Sequence, residues 1–200
     1  TTNDRQEAFL MTEEQMNIVE FVSEESKENF STWINRPYIP DTLKDKLRSA
    51  NVLIIPSEGY RDREYPVFPV GTEELYHFFR ENSDKGITVD ICIADKDYRE
   101  IALHNALIRI GEFVVTYLVA PVVVSLIEIY IKKRYPIKTE QARVKVGLTV
   151  VDSDNKSYSL FYEGPTKDFM DTVQPALSLV QNNMKRLPTN DIKNDFERKI

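Results

Sequence analysis

Runs of apolar residues with two different periods predict a chain that mixes strands with helices. Residues 51–56 form a continuous apolar run of strand length, and 87–94 form a second one after a turn at Gly86. Continuous apolar character is typical of strands that are buried on both faces. Over 143–162, apolar and polar residues alternate on either side of a polar turn, which predicts a β-hairpin with one face on a core.

Other apolar residues follow helical spacing. Helices are predicted at 12–25, behind a capping box, at 41–49, after Gly71 and after Thr166. The strongly apolar stretch 106–135 is interpreted as two helical segments, or as one helix kinked at Pro121, because proline removes a backbone hydrogen bond. Its many β-branched residues keep a strand as the alternative.

The order of these elements predicts an α/β fold, with α+β as the alternative. The β-α-β unit at 51–94 favours two neighbouring parallel strands with a right-handed crossover. The simplest architecture is a small, mostly parallel sheet of about four strands, with a C-terminal β-hairpin and flanking helices. We expect an N-terminal extension at 1–50 that includes an aromatic, proline-broken strap at 29–39, then an α/β core at 51–182 and a polar tail at 183–200.

Composition narrows the functional classes. The formal net charge is −6, whereas proteins that grip nucleic acid usually carry a basic excess, so no nucleic-acid partner is predicted. The single cysteine, Cys92, lies in an apolar run and behaves as a small hydrophobe. The apolar run 113–127 is too short to predict a membrane span, since a spanning helix needs about 20 residues. The polar N-terminus lacks a signal-peptide pattern, so a cytoplasmic location is expected.

Common catalytic motifs are absent from the sequence. The six glycines are widely spread, whereas a P-loop or a dinucleotide fingerprint needs closely spaced glycines that bring backbone N–H groups to phosphate. There is also no H-E-x-x-H, G-x-S-x-G or C-x-x-C sequence. The sequence therefore favours a protein without catalytic activity, and no cofactor is predicted outside the hydrolase hypothesis below.

Acidic residues after the two predicted parallel strands suggest one enzymatic hypothesis. Ligands of open α/β sheets lie beyond the carboxyl ends of the strands. There Glu58, Asp95 and Asp97 supply the oxygen ligands that Mg²⁺ prefers, and His104 is a candidate general base. This set predicts a metal-dependent phosphoester or nucleotide hydrolase. Turn and helix-capping chemistry explains the same aspartates without any metal, and that explanation is favoured.

The same two loops carry arginines. Arg61 and Arg63 follow the first strand and Arg99 follows the second. Through charge-assisted hydrogen bonds they predict a sensor that binds a small anionic, nucleotide-like ligand, chiefly through Arg61 and Arg99. Salt bridges to neighbouring acidic residues are the alternative.

Aromatic residues in irregular segments suggest a third role. Such residues favour protein interfaces, although they also seal the ends of small sheets. The candidates are Trp33, Tyr38, Tyr60, Tyr65 and Phe68. Together with the missing motifs they favour a non-catalytic interaction or accessory module in a larger assembly, with a protein partner or a homo-oligomer that uses the apolar segment 106–131.

Overall fold

The computed structural model describes residues 20–102, 107–135 and 142–186. Within these ranges the chain forms eight strands and five helices, besides short 3-10 turns. In chain order they are β1 Glu20–Ser26, α1 Phe30–Ile34, α2 Asp41–Arg48, β2 Val52–Ile55, β3 Phe68–Pro69, α3 Thr72–Glu81, β4 Val89–Ile91, β5 Glu100–Ile101, β6 Leu107–Thr116, α4 Ala120–Arg134, β7 Arg143–Val151, β8 Ser157–Pro165 and α5 Phe169–Arg186.

Six of the strands form one sheet of mixed orientation. Their order is β1-β8-β7-β6-β2-β4, and β3 and β5 form a separate parallel pair. In the main sheet β6 with β7 and β2 with β4 are parallel, whereas the other three neighbouring pairs are antiparallel. The mixed α/β class is thus confirmed, but the expectation of about four, mostly parallel strands is wrong.

Two local predictions are confirmed. β2, α3 and β4 form the β-α-β unit, with Val52 opposite Val89 in the parallel register. β7 and β8 form the hairpin, in which Val151 lies opposite Ser157 across the polar turn. In both cases the apolar pattern and the turn residues between the strands agree with the tertiary contacts.

The predicted helix at 12–25 is wrong for its described part. Residues Glu20–Ser26 form β1, which pairs with β8 from Glu20 opposite Glu163 to Ser26 opposite Ser157. A strand forms here because the outer edge of β8 offers backbone hydrogen bonds along the whole segment. The predicted N-terminal extension therefore contributes a strand to the main sheet, while 12–19 lies outside the described residues.

The apolar stretch after residue 106 divides into a strand and a helix. Leu107–Thr116 is β6, which lies between β7 and β2, so the helical interpretation is wrong for this half and the strand alternative is confirmed. Its apolar character is continuous because Phe113 and Val114 face separate apolar clusters on opposite sides of the sheet. Pro121 lies in the first turn of α4, where its missing N–H removes no helical hydrogen bond.

Helices cover the sheet unequally. α3, α4 and α5 pack on one face around Phe113, with Phe79, Ile127 and Leu177 fully buried. On the other face the segment 29–39, which includes α1, packs with α2 over β2, as the predicted strap. None of the described helices has the length and apolar character needed to cross a membrane.

Candidate functional site

The loop between β2 and β3 lies at the edge of the sheet where the sequence predicted ligand binding. Its base is closed by two backbone hydrogen bonds between Ser57 and Val67, with N···O distances of 2.8 and 3.1 Å. The backbone N–H of Phe68 donates to the carbonyl of Arg99 at 2.9 Å. The segments that follow β2 and β4 are therefore held side by side.

Two tyrosines of this loop are each flanked by two arginines. Around Tyr60, the guanidinium carbons of Arg61 and Arg109 lie 5.3 and 5.8 Å from the ring centroid. Around Tyr65, those of Arg63 and Arg99 lie at 5.5 and 4.5 Å. These are cation–π distances. We call these six residues the arginine–tyrosine cluster.

None of the four arginines of the cluster forms an ion pair in the part of the chain that the structure describes. This holds although Asp62 and Glu64 lie in the same loop. Within the cluster, Arg63 donates a hydrogen bond to the Tyr65 hydroxyl. Four cations thus lie beside two tyrosines of one loop, in a chain whose net charge is −6.

Arg109 is the most enclosed of the four arginines. It is half-buried, and its Nε atom is buried with no hydrogen-bond partner in the part of the chain that the structure describes. Glu112 lies three residues further along β6; burial raises the pKa of its carboxyl, while Lys145 and Arg109 act in the opposite direction. A buried donor without a partner is rare in native proteins and calls for an explanation.

Backbone geometry near the cluster departs from the regular regions. Gly59, Arg61 and Asp62 have φ values of +64°, +50° and +58°. The left-handed region is uncommon for non-glycine residues, and its cost recurs at ligand-binding sites. In β6, the register with β7 shifts between Arg109 and Gly111, where φ is +134°. Such bulges commonly redirect a side chain beside a functional site.

The carboxylates predicted to bind a metal are not brought together. Glu58 accepts a hydrogen bond from the Tyr38 hydroxyl at 2.7 Å and pairs with Arg36 Nε at 3.2 Å. Burial and this hydrogen bond raise the pKa of Tyr38. Asp97 lies in a 3-10 turn, as the turn explanation predicted for the Asp-x-Asp sequence. Across the described residues, no group of three or more His, Cys, Asp or Glu side chains is placed to hold a metal ion.

Asp95, the other catalytic aspartate candidate, lies in the same 3-10 turn as Asp97. Asp95 lines a cleft of about 320 Å³ beside β4, between α2 and α3. Asp90 and Lys46 form an ion pair in that cleft at 2.9 Å, and His77 is the histidine that lines it. His104, the predicted general base, lies outside the described residues.

The predicted interface aromatics divide by burial. Trp33 is 6% exposed and Phe68 is fully buried, so both side chains belong to the protein's own core rather than to its surface. Tyr38 and Tyr60 are half-buried, and Tyr65 is 36% exposed. The exposed aromatic residue of this set is thus Tyr65, which contacts Arg63 and Arg99.

Arg61 and Arg99, the two arginines that the sequence singled out, lie beside Tyr60 and Tyr65 of the same loop, and Arg109 joins Arg61 at Tyr60. Sequence reasoning missed Arg109 because a helix was expected there. The antiparallel register puts Ile55 of β2 opposite Glu112, so β6 carries Arg109 past the end of β2 and towards the loop. A strand interpretation of the β-branched stretch is the signal that would have found it.

Comparison with protein-family models, with curated proteins and with solved structures finds no match for this chain.

Proposed function

We propose that this protein binds a small phosphorylated, nucleotide-like ligand at the arginine–tyrosine cluster and acts as a sensor. The observation that carries the proposal is the placement of four arginines around Tyr60 and Tyr65, none of which forms an ion pair among the described residues. Guanidinium groups match phosphate oxygens through bidentate hydrogen bonds. A ligand anion would also give these arginines an ion-pair partner.

The position of the cluster supports the same function. Loops beyond the carboxyl ends of parallel strands are where ligands of α/β sheets bind, and the cluster follows β2 and β4 in this way. The closed base of the loop and its contact with the backbone of Arg99 fix both segments before a ligand arrives. Binding then costs less ordering entropy than it would with free loops.

Calorimetric titration with inorganic phosphate, pyrophosphate and ATP tests the proposal. We expect at least one of these probes to bind and to raise the melting temperature in proportion to RT ln(1 + [L]/Kd). Arg99→Ala should weaken the binding of pyrophosphate or ATP by roughly 10- to 150-fold, the loss of a hydrogen bond to a charged group of about 1.5–3 kcal/mol.

Lys27→Ala is the matched control, because Lys27 is exposed and follows β1 beside the start of β8, at the opposite end of the sheet. This variant should bind as the parent does. If none of the three probes binds at millimolar concentration, or if Arg99→Ala binds pyrophosphate and ATP as tightly as the parent does, the proposal is overturned. Release of phosphate from ATP, with Mg²⁺ present, would favour the hydrolase instead.

An accessory role in a larger assembly is the second candidate. Arginine and tyrosine are the residues that contribute most binding energy at protein interfaces, and Tyr65 is exposed. A protein partner on this surface would leave a stable complex in gentle purification, and Tyr65→Ala would dissociate it. Native mass spectrometry distinguishes that result from a bound small anion.

A further inference from the structure

We infer that the ligand of the arginine–tyrosine cluster carries two or more phosphate groups, one for each tyrosine-centred arginine pair. This inference depends on the proposed anion binding and adds the class of ligand. The two pairs are Arg61 with Arg109 at Tyr60, and Arg63 with Arg99 at Tyr65.

A guanidinium group that lies over a tyrosine ring keeps its N–H donors free for a ligand. A cation held over a tyrosine ring uses its flat face, while its N–H donors point outward in its own plane. A single phosphate has too few oxygens for bidentate contacts with four guanidinium groups. A ligand that engages both arginine pairs therefore needs more than one phosphate group.

The two arginine pairs have the same construction. Each pair combines one arginine of the β2–β3 loop with one from another segment: Arg109 comes from β6, and Arg99 immediately precedes β5. Both pairs depend on the same loop, whose base is closed by Ser57 and Val67. Two anion positions held by one closed loop favour a ligand whose phosphates are covalently linked, since the second contact becomes intramolecular.

The four arginines differ in burial. The Nε atom of Arg109 is buried and has no hydrogen-bond partner among the described residues, whereas Arg61, Arg63 and Arg99 are exposed. An enclosed charge gains more from an anion than an exposed charge does, because water screens it less. The phosphate at Tyr60 should thus be bound more tightly than the phosphate at Tyr65.

The same contacts weigh against recognition of a base. A nucleobase gains affinity by stacking on an aromatic face. Tyr60 and Tyr65 each already carry two guanidinium groups, the nearest at 4.5 Å from the ring centroid. The cluster should therefore respond to the number of phosphates and little to the nucleoside.

Titration with phosphate, pyrophosphate and tripolyphosphate at fixed ionic strength tests this inference. We expect one of the two longer probes to bind at least tenfold more tightly than phosphate. The variant Arg63→Ala/Arg99→Ala should keep phosphate binding at the Tyr60 pair. It should lose most of the gain in affinity that the longer probe shows over phosphate. Both of its residues are exposed, so the fold should be retained.

The reciprocal variant is Arg61→Ala/Arg109→Ala. It should also lose the gain, and its phosphate affinity should fall well below that of Arg63→Ala/Arg99→Ala. Lys27→Ala/Lys156→Ala removes the same charge from exposed residues at the opposite end of the sheet. This control should keep the full gain.

The possible results distinguish the two-phosphate inference from the proposed anion binding. Equal affinity of the parent protein for all three probes would overturn the two-phosphate inference and leave anion binding intact. A uniform weakening of all three probes in Arg63→Ala/Arg99→Ala would overturn it too, because general charge attraction would then explain the gain. Absence of binding by any probe would overturn both proposals.

Discussion

The ion pair between Lys46 and Asp90 allows a quantitative test of the fold at the edge strand β4. The Asp90 side chain is 9% exposed, whereas that of Lys46 is 61% exposed. Asp90 accepts from Lys46 Nζ at 2.9 and 3.1 Å, and from the backbone N–H of Ile91 at 2.9 Å. Loss of the lysine therefore leaves a buried carboxylate with one hydrogen bond, while loss of the carboxylate leaves a lysine that water can reach.

The expected loss of stability follows from the unequal burial of Lys46 and Asp90. Breaking a fully buried pair costs about 3–5 kcal/mol, and an exposed pair contributes about 0–1 kcal/mol. This pair has one partner of each kind, so Lys46→Met should lower the free energy of unfolding by about 1–3 kcal/mol. Asp90→Asn should cost less, and the double variant should cost no more than Lys46→Met, because the unpaired buried charge has gone.

Urea unfolding at pH 7 measures these differences. Trp33 is the single tryptophan and is 6% exposed, so its fluorescence reports loss of the apolar cluster that contains it. If Lys46→Met changes stability by less than 0.5 kcal/mol, or if Asp90→Asn is the more destabilising change, the argument from burial is refuted.

The pH dependence of the same pair has a defined sign. The hydrogen bond to Asp90 raises the pKa of Lys46 above its ordinary value of 10.5. The protonated lysine is thus favoured by folding, and its contribution is present below pH 10.5 and is lost as the pH rises through the raised value. The stability difference between the parent and Lys46→Met should shrink in that alkaline range.

Three further predictions concern the core. Gly147→Ala should destabilise the fold by about 1–3 kcal/mol in urea unfolding, because overpacking strains the sheet; the added Cβ would lie 2.9 Å from Glu112 Cγ. Tyr162→Phe should cost about 1–2 kcal/mol by the same assay, since the buried hydroxyl donates to the Pro165 carbonyl at 2.6 Å. Burial raises the pKa of the Cys92 thiol to about 12, so a thiol reagent at pH 8 should label it only after unfolding, and rapid labelling of the native protein would contradict its burial.

Part of the candidate site could be predicted from the sequence. Arg61 and Arg99 follow apolar runs that had to be strands, and a β-α-β unit brings the ends of such strands to one edge. Burial could not be predicted in the same way: the sequence presents Trp33 and Phe68 in segments expected to be irregular, yet both are core residues. Whether an aromatic side chain in a loop points inward depends on what the loop packs against.

The sequence by itself determined the elements whose signals are local. The hairpin of β7 and β8 follows from alternation around a polar turn, and α3 follows from its apolar spacing after Gly71. Here the residues that stabilise each element lie within a few positions of one another, so periodicity and turn chemistry are sufficient.

Only the tertiary structure decided β1 and β6. β1 is a strand because β8, more than a hundred residues later, supplies its hydrogen-bond partners. β6 is a strand because it lies between β7 and β2, with apolar clusters on both faces. A segment that is apolar on every side suits either a buried helix or a central strand, and the choice depends on partners that no local window contains. That choice also brought Arg109 to the arginine–tyrosine cluster.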